Sequence, residues 1–301
     1  MEHGDQPYRS VLYMPGSRPR ALEKARTLAA DALILDLEDA VSPSEKERAR
    51  DLVAEAVRAG GYGGRRLLIR VNALDTQWGV ADLVAASAAA PHAVLLPKVD
   101  RPGDVLRAAD LMAEHGAPAA TRIWAMMETP RAVLNAGAIA ASHPRLEGFV
   151  MGTNDLAKDL GATITPDRAP LLASLGICLA AARAEGLIAV DGVYNAFQDQ
   201  EGLRAACVQS REFGFDGRTL IHPDQLAVAN EVFAPAPADL ALAEAQVTAF
   251  EAAQARGEGV AVVDGKIVEN LHVAVARRLI ARAAAIAALE AAASASDGAA
   301  G

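Results

Sequence analysis

The stretch LILDLEDAV, residues 33–41, opens as a buried strand and closes in carboxylates. Leu33, Ile34 and Leu35 suit a strand packed on both faces. Asp36, Glu38 and Asp39 then crowd into its end. Burying a charge without a partner is costly, so acids in that place call for a pocket, a partner or both.

Working outward, seven more apolar runs share this character. They are VLYMPG (11–16), RLLIRVN (66–72), AVLLPKV (93–99), RIWAMMET (122–129), EGFVMGTND (147–155), LIAVDGVY (187–194) and GRTLIHP (217–223). Helical stretches separate them. RPRALEKARTLAA keeps Leu22, Ala25 and Ala29 on one face, and Ser42, Pro43, Ser44, Glu45 and Glu47 punctuate a helix start. Eight strand–helix units predict a (β/α)8 TIM barrel over residues 8–233. The competing architecture is an open doubly wound sheet, but GGYGG (60–64) precedes a strand and does not extend to a dinucleotide fingerprint. Beyond the barrel, residues 236–256 read as an added helix, GEGVAVVDGKIVEN (257–270) as a glycine-broken lid, and 271–291 as an Ala-rich helix. The C-terminal helices and lid span 234–293, and 294–301 is expected to be a disordered tail.

Composition narrows the function. The chain has 301 residues, and its formal charge of −9, without a Lys/Arg block, argues against a nucleic-acid surface. No apolar run reaches the ~20 residues of a membrane span, and MEHGDQPYRS is no signal peptide, so a soluble cytoplasmic protein is expected. Cys178 and Cys207 read as reduced core thiols.

In such barrels the chemistry gathers at the C-terminal strand ends. Those ends carry Arg18, Glu38 and Asp39, Arg70 and Asn72, Lys98, Glu128, Asn154 and Asp155, Asp191 and Tyr194, and His222. Glu128 and Asp155, from neighbouring strands, suit Mg²⁺, although each could instead cap the helix that follows. No zinc pattern is present. Arg70 has either a substrate carboxylate or Glu38 or Asp39 as its anion. Lys98 could form a Schiff base or, more simply, pair with a rim carboxylate. His222 lines the pocket or starts the helix before Pro223. The absence of G-x-S-x-G argues against a serine hydrolase of the α/β type.

Taken together, RSVLYMPGSRPRALEKA, LILDLEDAV, LLIRVNALDTQWG, LLPKV, AMMETPRAVLNAGAIA, MGTNDLAKDLG, DGVYNAF and FGFDGRTLIHPDQL resemble the citrate lyase beta subunit-like CoA-ester lyases, a group that includes malyl-CoA lyase. MGTNDLAKDLG, VDGVYNAF and GVAVVDGKIVENLH are most similar to its (3S)-malyl-CoA thioesterase branch. The resemblance implies Mg²⁺ on Glu128 and Asp155, the acyl carboxylate on Arg70, and Glu38 and Asp39 around metal-bound water. It implies CoA phosphates on Arg18, Arg20 and Lys24. It further implies a homotrimer or homohexamer in which Asp264 reaches a neighbouring subunit's site as the base. The expected reaction is hydrolysis of (3S)-malyl-CoA to malate and CoA. The alternatives are retro-Claisen cleavage of malyl-CoA, β-methylmalyl-CoA or citramalyl-CoA, and a beta-type subunit of a citrate lyase complex.

Overall fold

In a computed structural model, which describes residues 6–298 with side chains to residue 292, the eight apolar runs are eight strands. They are β1 Ser10–Pro15, β2 Ala32–Asp36, β3 Arg66–Arg70, β4 Ala93–Leu96, β5 Arg122–Met127, β6 Leu146–Met151, β7 Ile188–Asp191 and β8 Gly217–Leu220. All pair in parallel with their sequence neighbours, and β8 closes on β1. This is the expected TIM barrel. The fold follows from chain chemistry. Parallel neighbours need a crossover, and a helix supplies it while covering the sheet.

The helices are α1 Pro19–Lys24, α2 Lys46–Ala59, α3 Gly79–Ala89, α4 Pro102–Glu114, α5 Pro130–Leu134, α6 Ala136–Ala140, α7 Thr153–Leu160, α8 Leu172–Ala184, α9 Gln200–Phe213 and α10 Leu226–Phe233. Strand alternation divides the core in two. Leu33, Leu35 and Leu37 point outward into one large cluster with the helices. Ala32 and Ile34 point inward with Val11, Leu68, Leu95, Trp124 and Val150. Each fully buried leucine or isoleucine is worth ~1.5–3 kcal/mol. At the N-terminal end, Trp124 Nε1 donates to Glu147 Oε2 at 2.9 Å, and His92 Nε2 meets the same oxygen at 2.7 Å. That network fills the barrel floor. Cys178 and Cys207 are buried free thiols in α8 and α9, and burial pushes them up to about 12 and about 11.

The described residues fall into two compact units, Tyr8–Phe233 and a second comprising the residues from Ala234 onward with Gln6 and Pro7. In the second unit, α11 Pro237–Ala255 packs on α12 Asn270–Gly298. Between them the expected lid is a β-hairpin, β9 Ala261–Val263 with β10 Lys266–Val268. Asp264 and Gly265 form its two-residue turn, both at positive φ (49° and 72°). Asp-Gly is the preferred pair for that turn, and the valines and isoleucine beside it favour strand, so the segment is more ordered than its glycines suggested. Phe250, Ala253, Ala261, Val268 and Val273 are its small core. The last helix runs through Gly298, into the stretch expected to be disordered from 294, as its alanines favour. Residues 299–301 of that stretch lie outside the described residues. Among the described residues no helix is long and apolar enough to cross a membrane.

Candidate active site

A cavity of about 310 Å³ opens at the C-terminal end of the strands. Its wall holds Asp36 and Asp39, Arg70, Glu128, and Asp155 with Asn154. Those residues belong to β2, β3, β5 and their following loops, and to the first turn of α7. This answers the question raised by residues 33–41: strand alternation turns Asp36 inward, onto the cavity.

Arg70 is the main partner of those acids. Its Nε and Nη2 donate to Asp36 Oδ1 and Oδ2 at 2.7 and 2.6 Å, a planar fork. Its Nη1 lies 2.8 Å from Glu38 Oε2 and 3.3 Å from Asp39 Oδ2. Pairing with Glu38 and Asp39, one of the two readings the sequence left open, is present, but the two-point partner is Asp36. The register explains this, because Asp36 and Arg70 lie directly opposite on adjacent strands. Burial depresses the guanidinium pKa, but the facing carboxylates outweigh it, so Arg70 stays charged. Burial pushes Glu38 up to about 8, against the pull of Arg70.

Glu128 and Asp155 share one cation position. Lys98 Nζ stands 2.6 Å from Asp155 Oδ2 and 3.4 Å from Glu128 Oε1. The Lys98 backbone N–H also donates to Glu128 Oε1 at 2.7 Å. Lys98 holds this pose at φ +53°, a left-handed conformation that costs a non-glycine residue roughly 1–2 kcal/mol. Burial lowers the Lys98 pKa, yet the hydrogen bond to Asp155 and the charge of Glu128 raise it overall. That is opposite to what Schiff-base chemistry needs, and the ion pair is what the structure contains. Burial raises Glu128 despite Lys98, whereas Lys98 and Lys158 hold Asp155 below the carboxylate range against burial. Gly152 makes the approach possible: a Cβ there would lie 2.6 Å from Glu128 Oε2. Among the described residues no group of three or more His, Cys, Asp or Glu is placed to hold a metal. Two hard oxygen donors around one cation position do fit Mg²⁺, which keeps most of its waters.

Residues 9–223 match the HpcH/HpaI aldolase/citrate lyase family. The chain belongs to that family. It is 57% identical over 291 residues to a (3S)-malyl-CoA thioesterase of Cereibacter sphaeroides, covering 97% of this chain and 100% of the relative. It is 33% identical to an L-malyl-CoA/beta-methylmalyl-CoA lyase of the same species, covering 92% and 95%. Among solved structures it resembles CitE from Mycobacterium tuberculosis in complex with magnesium, acetoacetate and coenzyme A. The TM-score is 0.73 at 29% identity, over 94% of this chain and 99% of that one.

Other rim residues of this family member take structural posts. His222 caps the 3-10 turn Pro223–Gln225, its Nδ1 accepting from Asp224 N–H at 3.3 Å, and its ring stacks on Phe197. Asp191 points away from the cavity, into the helix layer, where Arg168 Nη1 and Ser210 Oγ reach Oδ2 at 2.6 and 2.5 Å and Arg218 Nη1 at 3.3 Å. Odd and even residues of a strand face opposite sides, and Val190 takes the inward place. Tyr194 spends its hydroxyl on Asp199 at 2.6 Å. Arg18 just before α1, Arg20 in its first turn and Lys24 at its end are exposed and do not line the cavity. Asp264 is exposed at the hairpin turn. Sequence reasoning passed over Tyr13, Met126 and Asn195, which line the cavity; for Tyr13 and Met126, inward alternation was the available signal. Asn195 exchanges two hydrogen bonds with Asn154, at 2.8 and 3.2 Å, tying the loop after β7 to α7.

Proposed function

We propose that this chain is a Mg²⁺-dependent thioesterase that hydrolyses (3S)-malyl-CoA to malate and CoA in the cytoplasm. One observation carries the reading: Glu128 and Asp155 hold a single cation position at a barrel mouth, in a chain 57% identical to a thioesterase of that specificity. Glu128 and Asp155 would hold the metal. When bound, Mg²⁺ would polarise the substrate's oxygens as a Lewis acid.

The remaining roles follow from the chain's own groups. Asp36 keeps the Arg70 guanidinium rigid, leaving Nη1 turned toward Glu38, Asp39 and the cavity. The acyl carboxylate would dock on Nη1. Glu38 and Asp39 would accept hydrogen bonds from water near the metal. Arg18, Arg20 and Lys24 would meet the CoA phosphates as exposed, screened charges. Asp264 would act as the base in a homotrimer or homohexamer, entering the site of a neighbouring subunit.

Product analysis with (3S)-malyl-CoA and Mg²⁺ tests the reaction. Free CoA with malate is expected, whereas acetyl-CoA with glyoxylate would make the enzyme a lyase. Asp264→Asn retains a residue suited to the turn and removes the carboxylate. Mixing inactive Asp264→Asn chains with inactive Glu128→Ala chains should restore activity through composite sites. No recovery, with subunit exchange verified, would sink the shared base.

A further inference from the structure

We propose that the Tyr13 hydroxyl contacts the substrate directly, forming with Arg70 Nη1 a two-donor clamp on one oxygen of the acyl carboxylate. This rests on the function proposed above and adds a residue to its site. Tyr13 lies on β1 with Val11 facing inward, while Leu12 and Met14 face the helices. It is half-buried, and it lines the same cavity as Arg70, Met126 and Glu128. The Arg70 guanidinium stacks on its ring, 4.8 Å from the centroid, and Asp36 fixes that guanidinium in turn. The two donors are therefore held in a set relation to each other.

Both donors aim at one soft atom. Tyr13 Oη donates to Met126 Sδ at 3.9 Å, and Arg70 Nη1 approaches the same sulfur at 3.7 Å. A thioether is a weak acceptor. Among the described residues that contact is the one hydrogen bond of the hydroxyl, so its donor capacity is barely used. A phenylalanine would supply the same ring, packing and cation–π contact. Packing and the cation–π contact therefore do not account for the hydroxyl, which faces the cavity. A ligand oxygen above Met126 would be a far better acceptor for both groups. Burial holds the Tyr13 phenol above its ordinary range against the pull of Arg70, which keeps the proton in place for donation. A neutral donor also adds grip without giving the surrounding carboxylates another cation to pair with.

The test is Tyr13→Phe, with (3S)-malyl-CoA turnover, calorimetric binding of free malate in Mg²⁺, and thermal unfolding measured beside the unchanged protein. KM for malyl-CoA and Kd for malate should each rise about ten- to hundredfold, as for loss of a hydrogen bond to a charged group. The turnover number should stay within about threefold, because a clamp remote from the bond that breaks holds ground state and transition state alike. The unfolding midpoint should hold or rise, since the variant loses only a poorly satisfied hydroxyl. Wild-type turnover with unchanged KM and Kd in Tyr13→Phe overturns the clamp and leaves the thioesterase reading standing. A wild-type protein that binds malate through Tyr13 but does not turn over malyl-CoA keeps the clamp and overturns the thioesterase. Equal or absent malate binding in both proteins, without turnover, removes both.

Discussion

Arg70 on β3 and Arg218 on β8 are both buried arginines on barrel strands, and each faces an aspartate at a strand end. Their surroundings differ in two respects. Arg70 points inward onto a cavity, whereas Arg218 points outward among the helices, where α9 covers it. The charge balance is also reversed. Asp191 is a single carboxylate answering two guanidiniums, Arg168 and Arg218, with Ser210 completing the group. On the cavity side five carboxylates, Asp36, Glu38, Asp39, Glu128 and Asp155, answer Arg70 and Lys98, with Lys158 reaching Asp155 from the exposed side. A buried ion pair is thus no mark of function by itself. An excess of acid beside an accessible cavity is, because it leaves room and charge for a cation.

Breaking the acid-rich side gives the largest expected effect. Glu128→Gln should reduce turnover by at least about a thousandfold, near 4 kcal/mol, while the fold survives. Burial already penalises the ionised Glu128, so removing its charge should not lower the unfolding midpoint. EDTA should silence the unaltered enzyme, and Mg²⁺ should restore it. Turnover that persists in EDTA, or a substrate trapped on Lys98 by borohydride, would overturn the metal assignment.

The opposite cluster should respond in stability. Asp191→Asn leaves Arg168 and Arg218 buried without their counter-charge, at an expected cost of about 3–5 kcal/mol in urea unfolding. Activity per folded molecule should stay within a few-fold. An activity collapse at unchanged stability would erase the contrast between the two arginines.

The smallest effect concerns Glu38. Its folded pKa, about 8, lies above its ordinary 4.5, so the folded state binds this proton more tightly than the unfolded chain. That contribution is complete below about pH 4.5 and is lost as pH rises through about 8. In EDTA, Glu38→Gln should therefore gain stability over the unaltered protein as pH rises across that window, and then level off. A difference that does not vary with pH would place Glu38 in ordinary solvent contact.

Local chemistry along the chain was enough to place all eight strands, because each is an apolar run between helix-start and turn signals. The acids and bases at the strand ends were legible as well. Lys98 reads as an ion-paired lysine from sequence and is one in the structure. What lay beyond the sequence is what depends on register and facing. Asp36 became the fork partner of Arg70 only when β2 and β3 aligned. Asp191 looks like a rim acid in LIAVDGVY, yet one step of alternation turns it into the helix layer. Tyr13 reads as an ordinary strand residue until barrel closure brings it against Arg70 and Met126, from strands far apart in the chain. The Asp264-Gly265 turn was written in the sequence, but glycine counts hid it, since flexibility and tight turning call on the same residue. Local propensity acts over a few residues and is readable there. The site is assembled by long-range pairing, where a one-residue change of facing decides whether a carboxylate meets a ligand or an arginine.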